Sequence, residues 1–224
     1  MGFREFVDGI RMVKDPISVK YDMKIASESS GNEPLLFSEI IESPGQRAVT
    51  NILTRHRLCE AFKVEPGELI DILSWAMENP SDTVLVEADS APVLENKMEQ
   101  TDISVLPIPR HYREDGGRYQ SSSIIVAQYG KQRNTSFHRQ LLKGPDRTTV
   151  RLVPRHLRTM ADQAFEKNED VPIVVVNGPD PLVLLAAAMS FNEPIDELRV
   201  ASALHERLYL SLIHISEPTR PNEI

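Results

Sequence analysis

The stretch that decides the fold is NTSFHRQLLKGPDRTTVRLVPRH, residues 134 to 156. β-branched and large apolar residues recur over Thr135–Leu142 and again over Thr148–Val153, and the turn-forming sequence Gly144-Pro145-Asp146 lies between them. This pattern predicts two antiparallel strands joined by a tight turn. Because a hairpin brings its outer ends together, the polar residues near those ends are predicted to share one pocket: Asn134, Arg139, Arg155 and His156.

A third β-prone run, Arg118–Gln128, precedes this hairpin and follows the turn Asp115-Gly116-Gly117. Three successive antiparallel strands are therefore predicted, forming a small barrel or sheet. Residues 1–100 instead mix helical and strand patterns, and the proline-containing segment Asp102–Glu114 separates the two halves. We predict an α+β protein with an N-terminal α/β domain over residues 1–100 and a strand-rich domain with flanking helices over residues 101–208.

Composition limits the function classes. The chain has 224 residues and a net charge of -8, which argues against nucleic acid as a main partner because phosphate binding needs a basic face. Cys59 is the single cysteine, so a reducing, cytoplasmic setting is expected. No apolar run approaches the roughly 20 residues that span a bilayer, so no membrane partner is expected.

The C-terminal sequence Tyr209–Ile224, YLSLIHISEPTRPNEI, differs in character from the rest. Its portion SLIHISEPTRP is similar to a translated sequencing-library adapter. We therefore expect residues 209–224 to be non-native and leave them out of the fold prediction. The alternative is a native tail without apolar periodicity.

The candidate site residues are weak signals when each is taken alone. A loop Asn such as Asn134 is usually a turn former, and His156 at a helix start is usually a surface or capping group. Glu197 is favoured at a helix N-terminus by the helix dipole without any function. Arg139 on a strand is usually half of a surface ion pair, and strand alternation places the neighbouring His138 on the opposite face.

Several segments in order resemble the UbiD family of decarboxylases, which use prenylated flavin mononucleotide (prenylated FMN). Joint order and spacing carry the resemblance, and the short linkers are most similar to the archaeal branch. The segments are LPIPRHYREDGGRY (106–119), SSSIIVAQ (121–128), N-T-S-x-x-R (134–139), VPRH (153–156), NGPDP (177–181) and DELRVASAL (196–204).

The resemblance implies a fold and a direction of chemistry. It implies that the N-terminal α/β domain is followed by a split β-barrel, similar to flavin reductases, that binds prenylated FMN within residues 101–208. A C-terminal dimerisation domain is expected to be missing here. Two sequence departures stand out: Ser123 occupies a position where the family commonly has Gly, and residues 187–190 read AAMS where relatives often show hydroxyls and a proline.

The resemblance also implies a cofactor site. Asn134, His156 and Glu197 correspond to the ligands of a divalent metal that binds the flavin phosphate, and their oxygen and nitrogen donors suit Mn²⁺ or Mg²⁺. A potassium site is implied near the backbone oxygens of Thr135, Ala186 and Met189, together with Glu197. The implied flavin contacts are Ser136, Phe137, His138, Arg139, Arg155, His156, Ala187, Ala188, Met189 and Ser190.

Arg139 corresponds to the arginine of a Glu-Arg-Glu catalytic network and would hold the substrate carboxylate. Both glutamates are expected downstream of residue 208, so this chain is expected to be inactive while its full-length parent is an enzyme. The parent is expected to be a homo-oligomer supplied with cofactor by a flavin prenyltransferase.

Three functions follow as alternatives. The first is a non-oxidative carboxy-lyase acting on an α,β-unsaturated or aromatic acid. The archaeal resemblance favours trans-anhydromevalonate 5-phosphate as substrate over a 4-hydroxybenzoate-type acid. The second is a non-catalytic module that binds flavin or metal, and the third is a structural α+β protein.

Overall fold

The computed structural model describes residues 2–209, and the rest of the predicted non-native tail lies outside that range. Helices and strands are interspersed along the chain. The helices are α1 Phe3–Phe6, α2 Asp22–Ser29, α3 Arg55–Phe62, α4 Pro66–Glu78, α5 His156–Phe165, α6 Pro181–Ala188 and α7 Glu197–Tyr209. The strands are β1 Arg11–Val13, β2 Leu35–Phe37, β3 Ala48–Thr50, β4 Tyr119–Gln120, β5 Ile124–Tyr129, β6 Gln132–Phe137, β7 Gln140–Leu142, β8 Thr148–Val150 and β9 Ile173–Val176.

The strands form three three-stranded sheets with the orders β1-β2-β3, β4-β7-β8 and β6-β5-β9. Among the strands named within residues 2–209, β1 and β2 pair in parallel and the other pairs are antiparallel. The predicted α+β class is confirmed, and the sheets within residues 2–209 do not close into a barrel. The domain boundary near residue 100 stays a prediction.

The part of the predicted hairpin nearest the turn is present, but the first half of its first strand belongs to another sheet. β7 pairs with β8 in the expected register, with Gln140 opposite Val150 and Leu142 opposite Thr148. The single strand predicted over Thr135–Leu142 is wrong, because the chain leaves β6 after Phe137 and begins β7 in another sheet at Gln140.

The reason for this break lies in a second, tighter hairpin. β5 and β6 are joined by only two residues, Gly130 and Lys131, and Gly130 has a φ of 58°, a left-handed conformation that glycine adopts without strain. Pairing from Tyr129–Gln132 to Ile124–Phe137 commits β6 to β5. The chain must therefore change sheets before it can pair with β8.

Strand β5 is buried on both faces and organises the second half of the chain. Ile124 packs in a core with side chains from α1, α3, α4, α6 and α7, and Val126 borders that core. Ile125 and Ala127, on the opposite face, pack against Leu157 and Met160 of α5. Period-two alternation thus divides the packing into a helical layer on one face and α5 on the other.

Helices α6 and α7 pack against each other and against strand β6. The sequence of α6, PLVLLAAA, is apolar all round because the helix packs against both α7 and β6. It starts at Pro181, and Asp180 accepts a hydrogen bond from the Leu182 N–H at 2.8 Å. None of the helices within residues 2–209 is both long and apolar enough to cross a membrane.

The N-terminal sheet has a smaller core of its own. Strand β2 and helix α2 enclose the buried side chains of Ile17, Val19, Met23, Leu35 and Phe37. Phe6 of α1 and Leu58 of α3, by contrast, belong to the same core as Ile124. Residues before position 100 therefore help to build the layer that supports β5 and β6.

Replacing Ile124 by Ala is expected to lower the free energy of unfolding by about 3 kcal/mol, because it opens a cavity in the helical layer beside β5. The control is Val174→Ala on the neighbouring strand β9, where the side chain is 62% exposed and the cost should stay below about 1 kcal/mol. Urea unfolding of both variants checks this. Equal losses would show that the face of β5 toward the helices is not the core.

Candidate functional site

The centre of the candidate site is the contact between the edge strand β6 and the first turn of α7. Asn134 Nδ2 donates to Glu197 Oε1 at 2.7 Å, and the Thr135 N–H donates to Glu197 Oε2 at 2.7 Å. Asn134 and Glu197 are only 4% and 3% exposed. Two residues predicted as metal ligands, far apart in sequence, therefore meet in a buried contact.

Two further residues of the same strand face extend this contact. Ser136 Oγ donates to Asn134 Oδ1 at 2.8 Å and lies 3.0 Å from His138 Nε2. The Ser136 hydroxyl therefore links the Asn134 amide to the His138 imidazole, and the tautomer of His138 decides which of the two donates. A chain of hydrogen bonds thus runs from Glu197 through Asn134 and Ser136 to His138.

The electrostatics of Glu197 oppose its ionisation. Burial raises the pKa of Glu197 to about 7, and the hydrogen bond from the Thr135 N–H only partly offsets this shift. The neighbouring carboxylate of Asp196 raises the pKa further, while Asn134 lowers it. A cation placed beside Glu197 would stabilise the ionised carboxylate and lower its pKa.

His138 is also affected by its surroundings. Burial lowers the pKa of His138, and a hydrogen bond with the backbone of Arg151 opposes that shift. The alternation of Asn134, Ser136 and His138 on one strand face agrees with period two. Because the strand ends at Phe137, Arg139 does not continue the opposite face of β6 as the regular arm predicted.

The third predicted metal ligand, His156, is the first residue of α5 and is half-buried. Within residues 2–209 the structure shows no hydrogen bond from His156 to Asn134 or Glu197. Asn134 pairs in register with Ala127, whose side chain packs in the cluster formed with α5, so the strand face of Asn134 is the one on which α5 lies. The structure brings two of the three predicted ligands into contact and places the third on the same side of the sheet.

The side chains at this site suit a hard divalent cation only if the amide of Asn134 is counted among the ligands. No three His, Cys, Asp or Glu side chains in the described part of the chain are close enough to hold a metal ion. A metal here would therefore depend on the oxygen atoms of Asn134 and Glu197, which are the donors that Mg²⁺ and Mn²⁺ favour.

The predicted potassium residues lie in two places. Thr135 contacts Glu197 through its N–H, and its Oγ1 is buried without a hydrogen-bond partner among the described residues. The Ala186 carbonyl accepts from the Met189 N–H at 3.1 Å at the end of α6. The buried, unpaired hydroxyl of Thr135 is the feature that fits an oxygen-ligated cation.

The predicted flavin contacts at 187–190 meet another predicted contact. Arg155 Nη1 donates to Ser190 Oγ at 2.7 Å, which joins the residue before α5 to the segment after α6. Ala187 is buried, Ala188 is the last residue of α6, and Met189 follows it. Ser190 therefore contacts Arg155 through its side chain. Phe137 of β6, another predicted flavin contact, packs against the helical layer.

Arg139 lies apart from this cluster. It is exposed and occupies the break between β6 and β7, where its guanidinium carbon is 5.9 Å from the centroid of the Tyr119 ring. It has no ion-pair partner among the residues the structure describes. The convergence of all four polar groups at the ends of the predicted hairpin is thus incomplete, since Arg139 contacts Tyr119 and Arg155 contacts Ser190.

Sequence reasoning missed a set of polar contacts around the strands β4 and β7. Ser123 Oγ accepts from Gln140 Nε2 at 3.0 Å, and Thr148 Oγ1 donates to Gln140 Oε1 at 3.3 Å. Gln120 Nε2 donates to Asn177 Oδ1 at 2.9 Å. The buried hydroxyl of Ser123 is therefore accommodated by a partner on β7. The sequence signal that could have revealed these contacts was the presence of polar residues within otherwise apolar strands.

A family model now decides the relationship of the chain. The model described as UbiD, 3-octaprenyl-4-hydroxybenzoate carboxy-lyase Rift-related domain, matches residues 84–214, more than half of the sequence. The chain belongs to the UbiD family. This confirms the resemblance that the sequence motifs indicated.

Curated UbiD relatives agree with this membership. The anhydromevalonate phosphate decarboxylase of Methanothermobacter thermautotrophicus is 33% identical over 212 residues, which cover 91% of this chain and 48% of the relative. The decarboxylase of the same name from Aeropyrum pernix is 32% identical and is matched over 92% of this chain and 47% of its own length. The chain spans about half the length of these curated relatives.

Solved structures of UbiD-class enzymes share the fold. An evolved dimeric form of the UbiD-class enzyme HmfF from Pelotomaculum thermopropionicum, in complex with prFMN, superposes with a TM-score of 0.84 at 29% identity, covering 91% of this chain and 50% of HmfF. The vanillic acid decarboxylase of Sedimentibacter hydroxybenzoicus in its closed form gives 0.83 at 20% identity, covering 92% of this chain and 49% of its own. The second likeness concerns the fold alone.

The raised pKa of Glu197 predicts how stability depends on pH in the metal-free chain. The folded state binds a proton at Glu197 that the unfolded state releases near pH 4.5, so this contribution is full below pH 4.5 and is lost as pH rises to about 7. Relative to Glu197→Gln, the wild-type free energy of unfolding should fall by about 3 kcal/mol across that window.

The control for this experiment is Glu206→Gln, which removes an exposed carboxylate from the same helix. Urea unfolding at closely spaced pH values gives the difference between wild type and each variant. If the Glu197→Gln difference does not change with pH, or changes as little as the Glu206→Gln difference, the assigned protonation of Glu197 is wrong.

Proposed function

We propose that the parent of this chain is a prenylated-FMN-dependent, non-oxidative carboxy-lyase. The observation that carries the proposal is the buried contact of Asn134 and the Thr135 N–H with Glu197, because Asn134 and Glu197 are two of the three residues that the resemblance assigns to a metal site. Membership in the UbiD family and the fold shared with HmfF at 29% identity support the same conclusion.

Three residues are proposed to hold a divalent cation, Mn²⁺ or Mg²⁺, that binds the phosphate of the flavin. Glu197 would supply a carboxylate oxygen, and Asn134 would supply its amide Oδ1, which here accepts from Ser136. His156, on the same side of the sheet, would supply an imidazole nitrogen. A cation at this position offsets the burial that keeps Glu197 protonated, so metal and carboxylate stabilise each other. A potassium ion beside Thr135 and Met189 belongs to the same proposal.

The remaining contacts are proposed to bind the flavin itself. Ser136, His138 and the backbone of Phe137 lie on or just after β6, next to the Asn134–Glu197 contact. Arg155 and Ser190 add a second contact, which links α5 to the end of α6. When bound, prenylated FMN supplies the electron-accepting ring that the loss of CO₂ requires.

Arg139 is proposed to hold the substrate carboxylate. A guanidinium binds a carboxylate through two parallel N–H bonds and keeps its charge at any working pH. The guanidinium carbon of Arg139 lies 5.9 Å from the centroid of the Tyr119 ring, which supports the side chain without neutralising its charge. The glutamates expected to complete the network, one of which returns a proton to the product, stay a prediction.

The proposed substrate is an α,β-unsaturated acid of the anhydromevalonate phosphate type. Two relatives at 33% and 32% identity carry that activity in their names. A 4-hydroxybenzoate-type acid is the alternative substrate, in line with the name of the family model. We further propose that a flavin prenyltransferase supplies the cofactor and that the parent is a cytoplasmic homo-oligomer.

A non-catalytic flavin- or metal-binding module is the second candidate. The Asn134–Glu197 and Arg155–Ser190 contacts are formed, while Arg139 lies with Tyr119 apart from both. Under this reading the chain binds flavin and metal but holds no carboxylate at Arg139. Binding of an acid at Arg139 therefore separates the two functions.

Replacing Glu197 by Ala is expected to abolish Mn²⁺-dependent retention of FMN by the 224-residue chain, because the cation loses its only carboxylate. Retention is measured as flavin absorbance after gel filtration, with Mn²⁺ and with a chelator. Glu206→Ala, an exposed position on the same helix, should retain flavin as the wild type does. Unchanged retention in Glu197→Ala would refute the proposed metal site.

Replacing Arg139 by Gln is expected to weaken binding of an α,β-unsaturated acid to the FMN- and Mn²⁺-loaded chain by about tenfold or more, since a bidentate charged contact is lost. Arg139→Lys should weaken it less. Calorimetry compares the acid with its neutral amide analogue, whose affinity should be the same in wild type and both variants. Equal affinity of the acid for wild type and Arg139→Gln would favour the non-catalytic module.

A further inference from the structure

A second contact lies directly beside the Asn134–Glu197 contact and joins the same two elements. Arg133 precedes Asn134 in β6, and Asp196 precedes Glu197 at the start of α7. Arg133 Nε donates to Asp196 Oδ2 at 2.9 Å, and Arg133 Nη2 forms an ion pair with the same oxygen. The side chains of Arg133 and Asp196 are only 21% and 19% exposed.

Asp196 uses its two oxygens for two different tasks. While Oδ2 pairs with Arg133, Oδ1 accepts from the Leu198 N–H at 3.1 Å in the first turn of α7. This second bond fixes the side chain relative to the helix start, as a capping residue does. The carboxylate of Asp196 therefore ties the first turn of α7 to a defined point on β6.

Arg133 is itself held from the other side. Its Nη2 donates to Thr83 Oγ1 at 3.2 Å. The segment containing Thr83 lies along α7, because the Ser81 N–H donates to the Arg199 carbonyl at 3.1 Å and Ser202 Oγ donates to the Asp82 carbonyl at 2.8 Å. The guanidinium is thus oriented by two partners that both depend on α7.

We propose that Arg133 and Asp196 are positioning residues that set the register between β6 and α7, so that Glu197 reaches the Asn134 amide and the Thr135 N–H. The inference rests on the proposed function for its importance, but its geometry does not depend on any bound metal. A shift of α7 by one residue would replace Glu197 by Asp196 or Leu198 opposite Asn134. Two adjacent contacts between the same elements exclude that shift, whereas one long glutamate side chain alone would not.

The test measures hydrogen exchange at single amides in the metal-free chain. The Thr135 N–H donates to Glu197, so its protection reports whether Glu197 is in place. The reference is the Gln128 N–H, which donates to the Pro172 carbonyl on the other side of the sheet. In Arg133→Gln and in Asp196→Asn, exchange at Thr135 should become about tenfold faster while exchange at Gln128 is unchanged.

Two matched variants separate positioning from general destabilisation. Arg133→Lys keeps the charge and should restore part of the protection at Thr135, which also covers the case in which Arg133→Gln does not fold. Glu206→Gln changes an exposed carboxylate in the last turn of helix α7 and should leave Thr135 unchanged. Unchanged exchange at Thr135 in Asp196→Asn, or equal acceleration at Gln128, would overturn the inference.

Mn²⁺ binding, followed by electron paramagnetic resonance of the chain with FMN, distinguishes this inference from the proposed function. Arg133→Gln and Asp196→Asn should weaken Mn²⁺ binding about tenfold, with Arg133→Lys intermediate and Glu206→Gln at the wild-type value. If wild type binds no Mn²⁺ while the exchange pattern holds, the proposed metal site fails and the register contact stands. If wild type binds Mn²⁺ and all four variants match it, the positioning role fails and the metal site stands.

Discussion

The fold of the second half depends on one constraint: the outer edge of β6 is buried at Asn134 and Thr135, and the Thr135 N–H needs a partner there. A buried N–H without an acceptor costs about 1–3 kcal/mol, and an open sheet edge in a protein interior must be covered. Glu197 meets that need by accepting from the Thr135 N–H, while its other oxygen accepts from Asn134. The position of α7, and with it the packing of α6, follows from this contact.

Because Glu197 meets this constraint with a carboxylate rather than a neutral group, the contact can carry a negative charge. Burial raises the pKa of Glu197 to about 7, and the two N–H donors do not restore its ordinary acidity. An amide or hydroxyl at position 197 would cover the edge with no such penalty. Under the proposed metal site, a cation beside Glu197 would relieve this cost, with the Asn134 oxygen as a further donor.

Local sequence signals predicted the elements better than their partners. The β7–β8 hairpin followed from turn chemistry, and a helix start at Glu197 agreed with the preference of helix N-termini for acidic residues. The break after Phe137 did not follow from such signals, because it arises from competition between two hairpins for one strand. Gly130 carried the missing signal, yet choosing between the two hairpins requires the packing of β5 on both faces, which no short pattern encodes.

The same break explains why the motif N-T-S-x-x-R does not form a single cluster. Asn134 and Ser136 stay on β6 with Glu197, while Arg139 follows the crossing into the second sheet and meets Tyr119 of β4. Six residues in sequence thus supply two sheets with different groups: the amide of Asn134 and the hydroxyl of Ser136 on one, and the guanidinium of Arg139 on the other. A substrate bound at Arg139 and a cofactor bound at Asn134 would then be held by separate sheets, and the two residues that change sheets, His138 and Arg139, set the distance between them. The spacing within the motif is therefore a constraint on geometry between sheets, which is why its order is more informative than any of its residues alone.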